Sequence, residues 1–200
     1  NHPPHLCRAA APAAIRQAMR AAKASGSEVV AMGVSGQQHG FVPLDKNGEV
    51  IRPLKLGSDT APAAECDEIT AKVGGLKKAI RALGNAVLPG FTASKILWLK
   101  NHEPQNFKKL STVLLPHDYL NFWLTGRKVM EYGDASGTAL LDVRKRAWSK
   151  PVLQAIDSDL ASKLPPLISS DQPAGFLQAS TAKQLDLSPG TLVSAADRRL

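Results

Sequence analysis

Glu28-Val-Val-Ala-Met-Gly-Val-Ser35 runs directly into Gly36-Gln37-Gln38-His39-Gly40, and the reading of that junction decides the fold. The first part is short, mostly apolar and carries β-branched residues, which predicts a strand buried on both faces of a parallel or mixed sheet. Upstream, residues 9–25 are Ala-rich, with Pro12 near a helix start, Ile15, Met19 and Ala22 on one stripe, and Gly26 as a stop. A helix feeding a buried strand predicts an α/β protein. Downstream, residues 41–44 and 49–52 flank Asp45-Lys46-Asn47-Gly48, whose Asn-Gly pair tolerates positive φ and predicts a β-hairpin.

Beyond the hairpin, Pro62 starts a predicted helix over 61–73 that Gly74-Gly75 ends, and a shorter one over 76–83 stops at Gly84. Residues 92–102 read as a helix with Ile96, Trp98 and Leu99 on its apolar side, terminated near Pro104. Residues 111–115 are expected as a strand and 116–125 as a helix closed by Gly126. The polar stretch 129–138 is expected as a loop or short edge strand. Helices near 151–157 and 181–185 and a last strand at 191–195 complete the reading. No internal repeat appears, which favours one domain over two.

The 200 residues can bury a sizeable core, and 44% hydrophobic with 21% charged residues excludes a disordered chain. The 25 Lys+Arg exceed the 17 Asp+Glu, for a formal charge of +8. The basic residues are scattered doublets and triplets with no aromatic residues between them, so they read as solvated faces and no nucleic-acid partner is expected. No run approaches the roughly 20 apolar residues of a membrane span. Cys7 and Cys66 share no metal-ligand spacing, and a reducing, cytoplasmic compartment is the simplest reading. The opening Asn1-His2-Pro3-Pro4-His5-Leu6 lacks an initiating Met and a signal-peptide pattern, so it is expected to be the cut edge of a longer protein.

Candidates for chemistry are few. Gln38 and His39 follow a predicted strand directly, where open α/β sheets place ligands, and the flanking glycines admit close approach. Two readings stand at that point: a polar small-molecule pocket, or a turn whose Gln and His satisfy local backbone groups. Asp59, just before a Pro-started helix, reads first as a cap. His117-Asp118 pairs an imidazole with a carboxylate, but no serine or cysteine nucleophile accompanies it. Gly133-Asp134-Ala135-Ser136-Gly137 reads as a structural turn. Asp197, after the last strand, stands either as a general base projecting into a crevice or as a surface aspartate. No glycine-rich phosphate loop occurs.

Taken together, these segments resemble the FGGY family of carbohydrate kinases, most closely its xylulokinases. Gly90-Phe-Thr-Ala-Ser-Lys95-Ile-Leu-Trp98-Leu-Lys-Asn-His102 is similar to the family's first signature, and Gly36-Gln37-Gln38-His39-Gly40 to the xylulokinase pentad. Ser58-Asp59-Thr60, Leu114-Leu-Pro-His-Asp-Tyr-Leu120 and Asp134-Ala-Ser-Gly-Thr138 follow in the family's order. The resemblance implies an actin-like, ribonuclease-H-like domain with a mixed sheet flanked by helices, forming most of the sugar-binding half of a kinase. It implies phosphorylation of the 5-hydroxyl of D-xylulose with ATP and Mg2+, the ketose as partner, and allows a homodimer. Gln38 and His39 would contact the ketose and Asp197 would accept the proton of the attacking hydroxyl. A ribulose or glycerol kinase of the same family, or a non-catalytic carbohydrate-binding module, is the alternative. The chain departs from the pattern in three places. Gly57 stands where a Trp usually precedes the Asp59 region, the glycine run before the catalytic Asp is absent, and Arg198-Arg199 follows Asp197. The phosphate loop and nucleotide domain are missing from these residues, so this stretch alone is not expected to transfer phosphoryl groups.

Overall fold

A computed structural model describes residues 4–195. Its helices are α1 (Pro4–Ala22), α2 (Ala63–Val73), α3 (Leu76–Leu83), α4 (Thr92–His102), α5 (Pro104–Lys109), α6 (Pro116–Thr125), α7 (Tyr132–Ser136), α8 (Lys150–Ile156) and α9 (Ala179–Leu185). Its strands are β1 (Ala31–Met32), β2 (Val42–Leu44), β3 (Thr112–Leu114), β4 (Met130–Glu131), β5 (Leu141–Asp142), β6 (Ala147–Trp148), β7 (Leu167–Ile168), β8 (Pro173–Phe176) and β9 (Leu192–Ser194).

The strands form one three-stranded sheet, β1-β9-β8, and three two-stranded pairs. β1 runs parallel to β9, with Ala31 opposite Leu192, whereas β8 is antiparallel to β9, so the sheet is mixed. Helices α1, α6 and α9 cover it, and Ile15, Met19, Leu124, Leu185 and Val193 share one apolar cluster. Helices α2, α3, α4 and α8 build a second core around Ile69, Leu83, Ile96, Leu99, Val152 and Ile156, joined by Phe41 and Val113. Between the two lies the antiparallel β2-β3 pair, with Val42 opposite Leu114. The 36–40 turn is the covalent link from the sheet to this middle layer. Among the described residues, no helix is long and apolar enough to cross a membrane.

The expected hairpin is present: Asp45 Oδ1 accepts from the Asn47 and Glu49 amides at 2.8 and 2.9 Å, and Gly48 takes φ 82°. Its second arm is a single bridge, Leu44 to Val50, while the other edge of β2 pairs with β3. Helices α4 and α6 match their expected bounds. Three expectations need correction. The run 28–35 is not a strand buried on both faces: only Ala31–Met32 pairs, at the edge of the described sheet, and Val30, just outside the paired residues, is 83% exposed. Pro12 sits inside α1 instead of starting it, where it forgoes one intrahelical bond. Within 129–138, β4 is followed by helix α7, whose first amides, Gly133 and Asp134, are accepted by the Glu131 carboxylate. As expected, α4 ends just before Pro104, which takes the first position of α5.

Candidate sugar-binding site

Gly36 and Gly40 exist at this turn because the chain passes close over the start of α6. A Cβ on Gly36 would stand 2.6 Å from His117 Cβ and 3.0 Å from its amide nitrogen; one on Gly40 would stand 2.5 Å from Pro116 Cγ. Between them His39 adopts φ 64°, the left-handed region a side chain rarely enters. Its carbonyl is held there by Lys95 Nζ at 2.7 Å and by Thr92 Oγ1 at 3.3 Å, both from the first turn of α4. The half-buried imidazole packs between the Phe91 ring, at 4.6 Å between centroids, and the backbone of Gly137.

Burial pushes the His39 pKa below its ordinary value; the Gly137 backbone pulls the other way, and the nearby Lys95 charge adds a smaller push downward. At neutral pH the ring is therefore an uncharged imidazole with one donor and one acceptor. Its Nδ1 is buried and makes no well-formed hydrogen bond. The neighbouring Gln37 is structural, its Oε1 accepting from the Gly57 amide at 2.8 Å, whereas Gln38 is exposed. Gly57 leaves room here: a Cβ on it would stand 2.8 Å from the Gln38 carbonyl.

Beneath His39 lies a cationic layer. Lys95 is wholly buried, and its Nζ also donates to the Gly90 carbonyl at 2.5 Å. Burial, opposed by the Asp59 charge and helped by that of Lys55, lowers its pKa from 10.5 to about 8. Lys55 bonds to Asp59 Oδ2 at 2.9 Å and lies 3.6 Å from the centre of the Trp98 ring. Asp59 Oδ1 accepts from the Ala61 amide at 3.0 Å, which closes a turn just ahead of α2; the expected helix cap is not made, because Pro62 takes the cap position and no side chain bonds there. Burial raises the Asp59 pKa, but its bonds to Lys55 and the Ala61 amide outweigh that and hold it low.

On the other side of the turn, His117 is 2% exposed, with Nε2 at 3.1 Å from both Asp118 Oδ1 and Asp134 Oδ2. Neither oxygen is aligned for a hydrogen bond, so the contact is ionic. Burial disfavours the imidazolium, but Asp118, Asp134 and Glu131 outweigh it and push the pKa up to about 9. Asp118 also accepts from the Leu115 amide at 3.0 Å, closing the first turn of α6.

The turn thus gathers every segment singled out in the sequence except the last. Gln38 and His39 sit together; Asp59, the 90–95 stretch, His117-Asp118 and the 134–138 stretch surround them, the last tied to α4 by the Ala93 amide donating to the Thr138 carbonyl at 2.8 Å. Asp197 lies outside the described residues; β9 leads toward it from beside β1. What residue-by-residue reading missed is Lys95. Its signal was a lysine on the Thr92–Ile96–Leu99 side of an otherwise apolar helix face. A cavity of about 690 Å3 lies elsewhere, lined by Val73, Lys78, Arg81, Trp148 and Pro151 among others.

Residues 4–198 match the model of the FGGY family of carbohydrate kinases, N-terminal domain. The chain is 38% identical over 183 residues to a xylulose kinase of Haemophilus influenzae, covering 90% of this chain and 37% of that protein. It therefore spans little more than a third of that relative. Among solved structures, a xyloylose kinase from Brucella ovis aligns with a TM-score of 0.72 at 35% identity over 84% of this chain and 32% of that one. A ligand-bound xylulose kinase from Lactobacillus acidophilus aligns with a TM-score of 0.86 over 96% of this chain and 38% of that one; at 21% identity it speaks for the fold alone.

Proposed function

The chain belongs to the FGGY family of carbohydrate kinases and has its actin-like fold, and on that premise we propose that it is the sugar-side domain of a kinase acting on the 5-hydroxyl of D-xylulose. The observation that carries the reading is the His39 arrangement. An uncharged imidazole on a left-handed backbone, braced by Phe91 and clamped at its carbonyl by Lys95 and Thr92, keeps Nδ1 buried and leaves Nε2 as its one polar atom for a ligand, beside the exposed Gln38 amide with its own donor and acceptor. That pairing suits a polyhydroxylated ketose, whose hydroxyls need partners of both kinds. Holding the backbone rigidly keeps the imidazole from losing orientation on each binding event, which favours affinity. Names of relatives that act on xylulose support this substrate over ribulose or glycerol.

The family implies ATP as phosphoryl donor, with Mg2+ as its companion. Among the described residues no three His, Cys, Asp or Glu side chains gather where a metal ion could sit. Together with the lack of a glycine-rich phosphate loop in the sequence, this points to no ATP or Mg2+ ligand among the described residues. Asp197 is proposed as the group that takes the proton from the attacking hydroxyl, its position after β9 being the support. A cytoplasmic location goes with the same reading.

The test is ATP consumption by the full-length protein with D-xylulose, D-ribulose and glycerol. Turnover fastest with D-xylulose is expected. Binding of xylulose without any sugar-stimulated turnover would replace the kinase by a carbohydrate-binding module. His39→Ala should raise the ketose KM about tenfold, the loss of roughly one hydrogen bond to a polar substrate; unchanged kinetics would take His39 out of the site.

A further inference from the structure

One ammonium bridges the two segments that build the proposed ketose site. Lys95 Nζ donates to the carbonyl of His39 at 2.7 Å and to that of Gly90 at 2.5 Å. Gly90 immediately precedes Phe91, whose ring flanks the imidazole. A single side chain therefore sets both the backbone that carries the imidazole and the backbone that carries its aromatic wall. Thr92 Oγ1, one turn back on α4, shares the His39 carbonyl.

Stability alone does not account for a cation at this place. Taking an ammonium out of water is costly unless it is paired, and its direct partners here are two neutral carbonyls. Asp59, the carboxylate that acts on it through space, is itself bonded to Lys55. The neighbours on its helix face, Thr92, Ile96 and Leu99, are fully buried, so an apolar residue would pack in the same space. The ammonium does what an apolar residue would not: it holds a non-glycine residue at φ 64°, a conformation that relaxes unless surrounding contacts enforce it.

We propose that Lys95 is a positioning residue for ketose binding, acting through His39 and Phe91 without touching the sugar. The role rests on the ketose reading above. In the full-length protein, Lys95→Met should raise the ketose KM about tenfold while the ATP KM changes by less than about twofold, and Thr92→Val should act in the same direction but more weakly. In a His39→Ala background, Lys95→Met should add less than about twofold, because its effect is routed through a side chain already gone. A folded Lys95→Met protein with the parent's ketose KM, or effects that multiply in the double variant, would overturn the role. If Lys95→Met fails to fold by circular dichroism, Thr92→Val alone and combined with His39→Ala decides by the same two criteria. If His39→Ala weakens the ketose and these variants do not, the role alone falls; if His39→Ala changes nothing, the ketose reading falls and takes the role with it.

Discussion

Two buried cations flank the 36–40 turn and are held in opposite ways. On the β2 side, Lys95 has two carbonyl partners and no carboxylate in contact, and its pKa falls to about 8. On the α6 side, His117 has Asp118 and Asp134 at 3.1 Å each, and its pKa rises to about 9. Burial pushes both downward. The difference teaches that carbonyl dipoles orient a buried charge without compensating its desolvation, whereas a pair of carboxylates compensates it outright. One cation is there for direction, the other for cohesion.

The sharpest way to break this contrast is to remove a partner on each side. Asp118→Ala strips His117 of a carboxylate and the Leu115 amide of its acceptor, and should cost about 3–5 kcal/mol in denaturant unfolding. Lys95→Met leaves the Gly90 carbonyl unmet and the His39 carbonyl with Thr92 Oγ1 alone, and should cost about 1–3 kcal/mol. Equal losses would mean that the two sites are held alike.

The pH dependence of stability separates them next. His117 has a folded pKa above its ordinary 6.5, so its stabilisation is complete below about pH 6.5 and is lost as pH rises through about 9. Lys95 runs the other way: its folded pKa lies below 10.5, so the folded chain holds fewer protons and its penalty is relieved as pH climbs from about 8. His117→Asn should therefore abolish a fall of about 1–3 kcal/mol between pH 6.5 and 9 that the parent shows. A parent–variant difference that stays constant across that window would remove the imidazolium from the argument.

The smallest effect on stability is expected at Gly137, where an added methyl would overlap the His39 ring, a side chain that can turn aside. Gly137→Ala should cost less than about 1 kcal/mol while raising the ketose KM. A large stability loss with normal KM would show that the backbone, and not the imidazole, yields.

Much of this arrangement was legible residue by residue. Glycines and prolines bound α4 and α6 correctly because Gly126, at φ 73°, and Pro116 carry local geometry that no distant contact overrides. Helix α7 was not legible, since five residues containing Gly133 have no helical preference, and what starts them is the Glu131 side chain folded onto their amides. The strand at 28–35 was overread for the opposite reason: an apolar run says that burial is available, not which neighbour supplies it, and Val30 finds none among the described residues. At the site, Gln38 and His39 could be picked out from their glycine flanks. Assigning Gln37 to a structural bond required knowing that Gly57 lies beside it, and the part played by Lys95 required a contact 56 positions back along the chain.

The pairing of Ala31 with Leu192 carries a consequence for biosynthesis. The stem of the 36–40 turn is made before most of the described chain, yet the strand beside it is among the last described segments to be made. The helical half, whose contacts lie closer together in the sequence, can consolidate first, while the stem waits for its neighbour. Such long-range closure is slow, so amide protons of β1 should acquire protection late in refolding, after those of α4 and α6.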